Sequence, residues 1–518
     1  MSALAAVSYA STLPVPRALA TSLPSAISLP SATSLPSAGT LAAGLAVALV
    51  VVAALAVLMR RRSEAFPLLA VLALPFRVPI SSDGKSVNLL VPLYLVIAAG
   101  TLVYLLPRWL ARTPDAVERA GAGRDPDAAA QAPASEPRPR LRTPSSWLTP
   151  RGLEWILLAA MALYVLQASY SSDRVKALEN VAFFYVPFGL MFLILREVSW
   201  TRELLARCLG VSVALAVVFA GVGFVEYERK SLFLNPKVVA ADQYSNYFRV
   251  NSVFFDPSIY GRFLALVMIA VMAAVLTAGR ARAGGREPAS RAAGRVLAGG
   301  AVLAWLLAGM VTSFSQSSIA ALLLGLAVLG AWCWGARPTL ALAGGLLALG
   351  LVFVALAPAS LHFGLKGAKG SASNATSGRA TLIEGGLKLF AARPLEGYGS
   401  GSFETEYKRH SVTDAENATS ASHTVPVTVA AEQGLLGLGL YAALLVSAFA
   451  VLFAGARPSA PRMAIAACFA ALVLHTWTYA DFLEDPFTWA LLAVGVALAR
   501  QERLRPTSAA RRAKALPQ

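Results

Sequence analysis

The stretch LAAGLAVALVVVAALAVLM, at residues 41–59, carries no charged side chain and is followed at once by Arg60, Arg61 and Arg62. As a helix rising about 1.5 Å per residue, it would extend about 28 Å, close to the ~30 Å hydrocarbon core of a bilayer. Such a run predicts a transmembrane helix whose arginines are retained on the cytoplasmic side.

Apolar runs of this kind recur along the 518 residues, of which 57% are hydrophobic and 14% charged. The pattern predicts an all-α protein, a polytopic transmembrane bundle of about 12 to 13 helices. The predicted spans are residues 41–59, 66–80, 89–106, 153–170, 181–195, 204–225, 259–278, 296–311, 317–334, 340–357, 426–453, 463–479 and 487–499.

Arginine-rich segments alternate with these spans: Arg60–Arg62, Arg108–Arg151, the stretch from Arg280 to Arg295, and the tail from Arg503. Because cytoplasmic loops retain Lys and Arg, the alternation predicts an outer N-terminus and an inner C-terminus. Residues 226–258 and 360–425 are then the two long outer loops. The same retention accounts for the net charge of +17, so we do not predict a nucleic-acid partner.

Composition divides the chain further. Residues 1–39 carry three near-identical hexapeptides rich in Ser and Pro and predict a disordered tail, before transmembrane helices in 40–107. Residues 108–151 predict a disordered cytoplasmic linker rich in Pro and Arg, and 501–518 a basic cytoplasmic tail. The main transmembrane domain is predicted at 152–500.

The outer loop 360–425 is long enough to predict a functional segment, and it holds three of the four histidines. His423 lies just before Pro426, which suits the first turn of the next helix, so its imidazole would lie at the outer membrane surface. With an ordinary pKa of about 6.5, it could act as a base near neutral pH. A solvated loop histidine without a role is the alternative.

Arginines on the predicted outer side run against the cytoplasmic bias unless they bind an anion. Arg249, Arg379 and Arg77 are of this kind, and a guanidinium grips phosphate oxygens through two parallel hydrogen bonds. Each could instead be an interfacial arginine that extends its charged group to the membrane surface or pairs with a nearby acid. Arg262, just inside its span, is predicted to pair with Asp256 or to face a cavity.

The helix after His423 contains Glu432 and the glycines Gly434, Gly437 and Gly439. Small residues at this spacing predict close approach of a neighbouring helix. Glu432 is predicted either to orient His423 or to face the aqueous surface.

No phosphate-binding glycine loop, HExxH, paired CxxC or GxSxG motif occurs, and the three cysteines each fall inside apolar runs. We therefore predict neither a metal site nor a cofactor.

His423-Thr424, nine residues, and then Gly434-Leu-Leu-Gly437 resembles the H-[NSQ]-x9-G-x-x-G signature of the O-antigen ligase and polysaccharide polymerase superfamily. Arg379 followed by PLEGYGSGSF at 394–403 is similar to the family's loop, and Arg249 to the arginine of its preceding outer loop. The serine-rich segment Ser313–Ser318 resembles the S-R or S-Q-S turn of the family. The resemblance covers roughly residues 226–489.

This resemblance implies a type C membrane glycosyltransferase, independent of metal, at the outer face of the bacterial cytoplasmic membrane. The implied donor is a glycan on undecaprenyl diphosphate, and the acceptor a glycan or lipid-linked molecule. His423 would be the catalytic base and Arg249 and Arg379 would bind the diphosphate, with Glu432, Arg77 and Arg262 as supporting residues. Polymerase, ligase and protein O-glycosylation remain open, and a polysaccharide-lipid flippase or other transporter is the alternative class.

Overall fold

The computed structural model describes residues 38–82, 85–111, 146–234, 248–285, 288–356, 379–410, 421–455 and 458–504. The predicted tail up to residue 37, most of the predicted linker and the basic tail after residue 504 lie outside the described residues. So do residues 235–247 of the first predicted outer loop, and residues 357–378 and 411–420 around and within the second.

The described residues form fifteen helices, one short 3-10 helix (Ser146–Leu148) and one hairpin. The helices are α1 (Ala38–Arg61), α2 (Ala65–Ala73), α3 (Val91–Leu110), α4 (Pro150–Ala168), α5 (Arg174–Leu195), α6 (Arg202–Arg229), α7 (Pro257–Ala283), α8 (Ala289–Thr312), α9 (Gln316–Trp334), α10 (Ala336–Leu356), α11 (Arg379–Ala392), α12 (Phe403–His410), α13 (Val425–Phe453), α14 (Ala460–Trp477) and α15 (Pro486–Leu504). Strands β1 (Val78–Ser82) and β2 (Lys85–Leu89) pair antiparallel between α2 and α3.

Ten of these helices are long and apolar enough to cross a membrane: α1, α3 to α9, α13 and α14. The predicted polytopic helical bundle is therefore confirmed, with the small hairpin as its one departure among the described residues. The last predicted span corresponds to α15, which ends in a charged segment that contains Arg500, Glu502 and Arg503.

The second predicted span, at residues 66–80, is not a full membrane helix. Helix α2 ends at Ala73. Leu74 still has helical backbone angles, and Pro75 then lacks the N–H that would continue the helical hydrogen bonds. The 9 residues of α2 rise only about 13 Å. Phe76, which follows outside the helix, packs edge to face on Phe219 of α6, at a ring-centroid distance of 5.7 Å. Strand β1 begins at Val78, within the last residues of the predicted span.

Two hydrophobic cores hold the bundle. The first includes Phe66, Phe188 and Trp489, and the second is built on α7 around Tyr260 and Phe263. Helix α14 contributes to both cores, and α7 and α14 are the most enclosed spans, with 72% and 67% of their apolar windows buried. The site described below lies where α7 begins and α14 ends.

The two ends of the bundle differ in charge. At the basic end, α5, α7, α9 and α15 finish and α4, α6 and α8 begin, and salt bridges such as Arg500 to Glu154 join neighbouring helices there. At the opposite end, called the site end below, α7, α9 and α13 begin and α14 finishes. The described part of the second predicted outer loop forms α11 and α12, which lie at the site end with the start of α13.

Candidate active site

His423 lies in a tight turn directly before α13 and has a positive φ of 56°. Pro426 occupies the first turn of the helix, as the sequence predicts. The backbone N–H of Ser422 donates to Thr428 Oγ1 at 3.0 Å, and its hydroxyl donates to the carbonyl of Thr424 at 2.8 Å. Left-handed backbone costs free energy in a residue with a Cβ and is enriched at functional sites. These hydrogen bonds hold His423 in that conformation.

Tyr479, just after α14, links His423 to a second histidine. Its ring centroid is 5.9 Å from that of His423 and 5.6 Å from that of His475. Burial raises the pKa of Tyr479 well above its usual range, and the carboxylate of Asp256, with which its hydroxyl hydrogen-bonds, raises it further. Tyr479 is therefore a neutral hydrogen-bond donor that ties the end of α14 to the start of α7.

His475 is fully buried against a serine turn at the start of α9. Its Nε2 lies 3.3 Å from the hydroxyl oxygens of both Ser317 and Ser318. Ser315 Oγ joins the same cluster, at 3.1 Å from Ser317 Oγ and 2.8 Å from Ser318 Oγ. The hydroxyls and the imidazole form one buried polar network, which is costly unless its members are paired with one another.

Arg249 reaches the same turn from the first of the two predicted outer loops. Its Nε donates to the carbonyl of Ser313 at 3.2 Å, which orients the planar guanidinium beside the serines. The segment after Arg249 is anchored by Glu226, whose buried carboxylate accepts a hydrogen bond from the N–H of Ser252 at 2.7 Å. Arg249 and His423 are thus joined by a continuous series of contacts through Ser313, the serine turn, His475 and Tyr479.

Arg262 forms a buried ion pair with Asp485 at 2.7 Å, with side chains 2% and 1% exposed. The predicted pairing of Arg262 with Asp256 is therefore wrong. Asp256 instead caps α7, accepting from the N–H of Ser258 at 2.6 Å. Arg77 lies close enough to Asp485 to lower its pKa electrostatically, together with Arg262, although burial raises that pKa more strongly.

The segment Pro394–Phe403, called the glycine loop below, is pressed between two parts of the bundle. Gly397, Gly399 and Gly401 have φ values of 68°, 93° and 73°. A Cβ at Gly397 would lie 2.3 Å from the carbonyl oxygen of Glu432, and one at Gly399 would lie 2.4 Å from Cα of Ser171. Glycine is required here both for backbone conformation and for close approach.

The glycine loop also repairs a break in α13. Gly434 has φ 64° and ψ −158°, a conformation essentially limited to glycine, so the helical hydrogen bonds across it are lost. Backbone groups of the loop replace them on both sides of the break. The four bonds, donor first, are Leu435 to Pro394 at 2.7 Å, Leu436 to Leu395 at 3.4 Å, Tyr398 to Ala431 at 3.4 Å, and Gly399 to Glu432 at 2.8 Å.

The prediction that Gly434 serves helix packing is therefore wrong. A Cβ at Gly434 would lie 2.3 Å from the carbonyl oxygen of Leu395, so the space is taken by loop backbone and not by another helix. Gly437 faces Gln433 of the same helix across the break, and a Cβ at Gly439 would meet nothing within 4 Å.

Glu432 holds the same loop through its side chain. One carboxylate oxygen accepts from the N–H of Phe403 and the other from the N–H of Gly401, both at 3.0 Å. Its side chain is 7% exposed, so the alternative in which it faces the aqueous surface is wrong. Both oxygens accept hydrogen bonds from the loop backbone, and Glu432 therefore fixes the loop beside α13.

Arg379 is the first residue of α11, and its side chain lies outside the described part of the structure. Its predicted role in binding diphosphate remains a prediction. The helix it begins packs beside α13, where Leu382 and Leu389 share a small core with Tyr398 of the glycine loop.

The sequence alone did not single out His475 or Tyr479 as site residues. One signal was present, since an ionisable residue within a predicted span is by default a functional candidate, and His475 is the only histidine in one. Its partners, Ser317 and Ser318, come from a distant part of the chain, so the sequence did not indicate their contact.

The assembled groups suit proton transfer and anion binding. An imidazole at neutral pH can accept a proton, and a guanidinium beside serine hydroxyls can hold phosphate oxygens. In the part of the chain that the structure describes, no group of three His, Cys, Asp or Glu side chains is placed to hold a metal ion.

Glu484 gives this end of the bundle a pH dependence. Although its side chain is partly exposed, burial of the carboxyl raises its pKa to about 8, with Asp481 and Glu432 adding repulsion. The folded protein then holds a proton that the unfolded chain releases near pH 4.5, so this contribution to stability is full below about pH 4.5 and is lost as pH rises through about 8. We therefore expect the thermal unfolding temperature to decrease as the pH is raised from about 6 to about 9.

Glu484→Gln should flatten that pH profile, since the amide can still accept the hydrogen bond that Asn180 donates at 3.1 Å. Glu384→Gln, in an exposed ion pair with Lys388 on α11, is the matched control and should leave the slope as it is. Equal slopes for the parent and Glu484→Gln would contradict the assignment.

Comparison with known proteins agrees with the family resemblance. Residues 301–442 match the model of the family described as O-antigen ligase. The matched range includes the serine turn, the glycine loop, His423 and Gly434, and it excludes Arg249, His475 and Tyr479. A search of curated proteins found no match to the chain. The predicted resemblance to the O-antigen ligase and polymerase family is thereby confirmed for this segment of the chain.

Proposed function

From this O-antigen ligase segment, we propose that the chain transfers a glycan from an undecaprenyl diphosphate carrier to an acceptor hydroxyl at the site end of the bundle. The observation that carries the proposal is the position of His423, in a strained turn and linked through Tyr479 and the serine turn to Arg249. A base and an anion-binding group are thereby held at one end of the same membrane bundle.

In the proposed reaction, one group activates the acceptor and the other stabilises the leaving group. His423 accepts the proton of the acceptor hydroxyl as its oxygen forms a bond to the anomeric carbon of the donor. The bond from that carbon to the diphosphate oxygen breaks, and the lipid diphosphate leaves with the electron pair. Arg249, with Arg379, stabilises the negative charge that develops on the departing diphosphate.

The supporting residues hold the segments of the site in position. The segment between α14 and α15 contains Tyr479 and Asp485. It is fixed by the ion pair of Asp485 with Arg262 and by the nearby Arg77. Glu432 fixes the glycine loop at the break in α13. None of these groups needs to touch the reacting atoms for its loss to slow transfer.

We place the site end at the outer face of the bacterial cytoplasmic membrane. Support comes from the arginines at the basic end, because short cytoplasmic segments retain Lys and Arg. The acceptor is a glycan or lipid-linked molecule, so the activity is that of a polymerase or a ligase.

The direct test is transfer by the purified chain in vesicles supplied with an undecaprenyl-diphosphate-linked glycan and an acceptor glycan. We expect a longer or newly attached glycan together with released undecaprenyl diphosphate. Movement of the donor across the bilayer without transfer would overturn the proposal and favour a transporter.

Arg249→Ala should reduce transfer about 10²- to 10³-fold, the typical effect of removing one group that stabilises developing negative charge. Arg249→Lys should retain part of the activity, because an ammonium keeps the charge but loses the planar two-bond geometry. Arg229→Ala, at the exposed end of α6 in the same outer segment, is the control and should transfer normally. Equal rates for Arg249→Ala and the parent would remove Arg249 from the mechanism.

A further inference from the structure

A groove of about 1220 Å³ runs along the outside of the bundle between α4, α5 and α15. Its wall is apolar and includes Trp155, Leu158 and Leu190, of which Trp155 and Leu158 are 69% and 52% exposed. From Arg500 to Trp489, both of which line it, α15 rises about 16 Å. The groove therefore extends about as far as one leaflet of a ~30 Å hydrocarbon core.

At the basic end the groove opens into a charged cluster. It contains four arginines and two glutamates, a net charge of two: Arg151, Arg196, Arg500, Arg503, Glu154 and Glu197. Glu154 bridges Arg196 at 2.7 Å and Arg500 at 2.5 Å. Arg151 and Arg503 are exposed and form no salt bridge within the described residues. An apolar channel thus ends in an excess of positive charge at the membrane surface.

We propose that this groove binds an anionic phospholipid, with the phosphate among the arginines and the acyl chains along the apolar wall. Guanidinium groups bind phosphate oxygens through paired hydrogen bonds, and basic pockets between transmembrane helices favour anionic headgroups. The site lies at the opposite end of the bundle from His423 and is independent of glycan transfer. The lipid belongs to the leaflet at the basic end.

Charge argues against other occupants. A second copy docking by the same face would bring two positive clusters together. The chain's own tail after Leu504 carries Arg505, Arg511, Arg512 and Lys514 and has the same sign. Residues 112–145 are rich in Pro and charged side chains, and few could cover an apolar wall.

The test is thermal unfolding of the purified full chain in neutral detergent, titrated with phosphatidylglycerol or with phosphatidylcholine of the same acyl chains. We expect phosphatidylglycerol to raise the midpoint at lower concentration than phosphatidylcholine. Arg151→Gln with Arg503→Gln should increase the phosphatidylglycerol concentration needed for half the effect roughly 30-fold, since each arginine near a charged lipid surface contributes about fivefold.

The double variant Arg282→Gln with Arg291→Gln is the matched control, because it removes two exposed charges from the basic end outside the groove. This control should be stabilised by phosphatidylglycerol in preference to phosphatidylcholine, as the parent is. Equal stabilisation by both lipids, or equal loss in both double variants, would overturn the site. Leu190→Trp should also weaken binding by filling the groove, and undiminished binding in this variant would place the lipid elsewhere.

Discussion

His423→Asn should lower glycan transfer by about 10²- to 10⁴-fold, the usual range for loss of a general base. Asparagine is the sharper choice than alanine, because it accepts the left-handed backbone that His423 adopts at φ 56°. The turn and the start of α13 should therefore survive while the base is lost. The measurement is the initial rate of transfer in vesicles, with the unfolding midpoint recorded in parallel.

His410→Asn provides the matched control for that variant. His410 lies on α12 in the same outer segment, and its side chain is 53% exposed. We expect the control to transfer at close to the parent rate. Full transfer by His423→Asn with a normal unfolding midpoint would exclude His423 as the base.

Gly434→Ala should disrupt the site without touching any group that reacts. A Cβ would meet the carbonyl of Leu395 at 2.3 Å, in a backbone conformation that costs about 1–3 kcal/mol for a residue other than glycine. Displacement of the glycine loop would also weaken the hydrogen bonds across the break, each worth about 1 kcal/mol. We expect a lower unfolding midpoint and at least a tenfold loss of transfer.

Gly439→Ala is the control from the same helix and the same short motif. A Cβ there meets nothing within 4 Å, and alanine favours a helix over glycine by about 1 kcal/mol. This variant should be as stable as the parent or slightly more so. If both variants behave alike, the break at Gly434 is not what holds the loop.

Sequence periodicity predicted the architecture because a membrane span is a local property of about twenty residues. Position also predicted that a helix begins just after His423, since Pro426 suits the first turn of a helix. The short α2 shows where periodicity misleads, because the apolar run continues past Pro75 although the helix does not.

The interior of the site was less accessible to prediction. The contact of His475 with Ser317 joins α14 to α9 across 158 positions of sequence, and no local pattern encodes it. Gly434 was interpreted by the rule for helix packing, which assumes an intact helix. Its backbone angles depend on the glycine loop, and so do the partners of Glu432.

The break at Gly434 has a consequence for biogenesis. A helix entering a bilayer must satisfy its own amide groups, yet Leu435 and Leu436 donate to a segment about 40 positions earlier in the chain. The glycine loop is synthesised first, so its carbonyls can be in place when these amides arrive. Completion of α13 therefore depends on docking of the loop, and a chain in which the loop cannot dock would leave unpaired amides in the middle of a membrane helix.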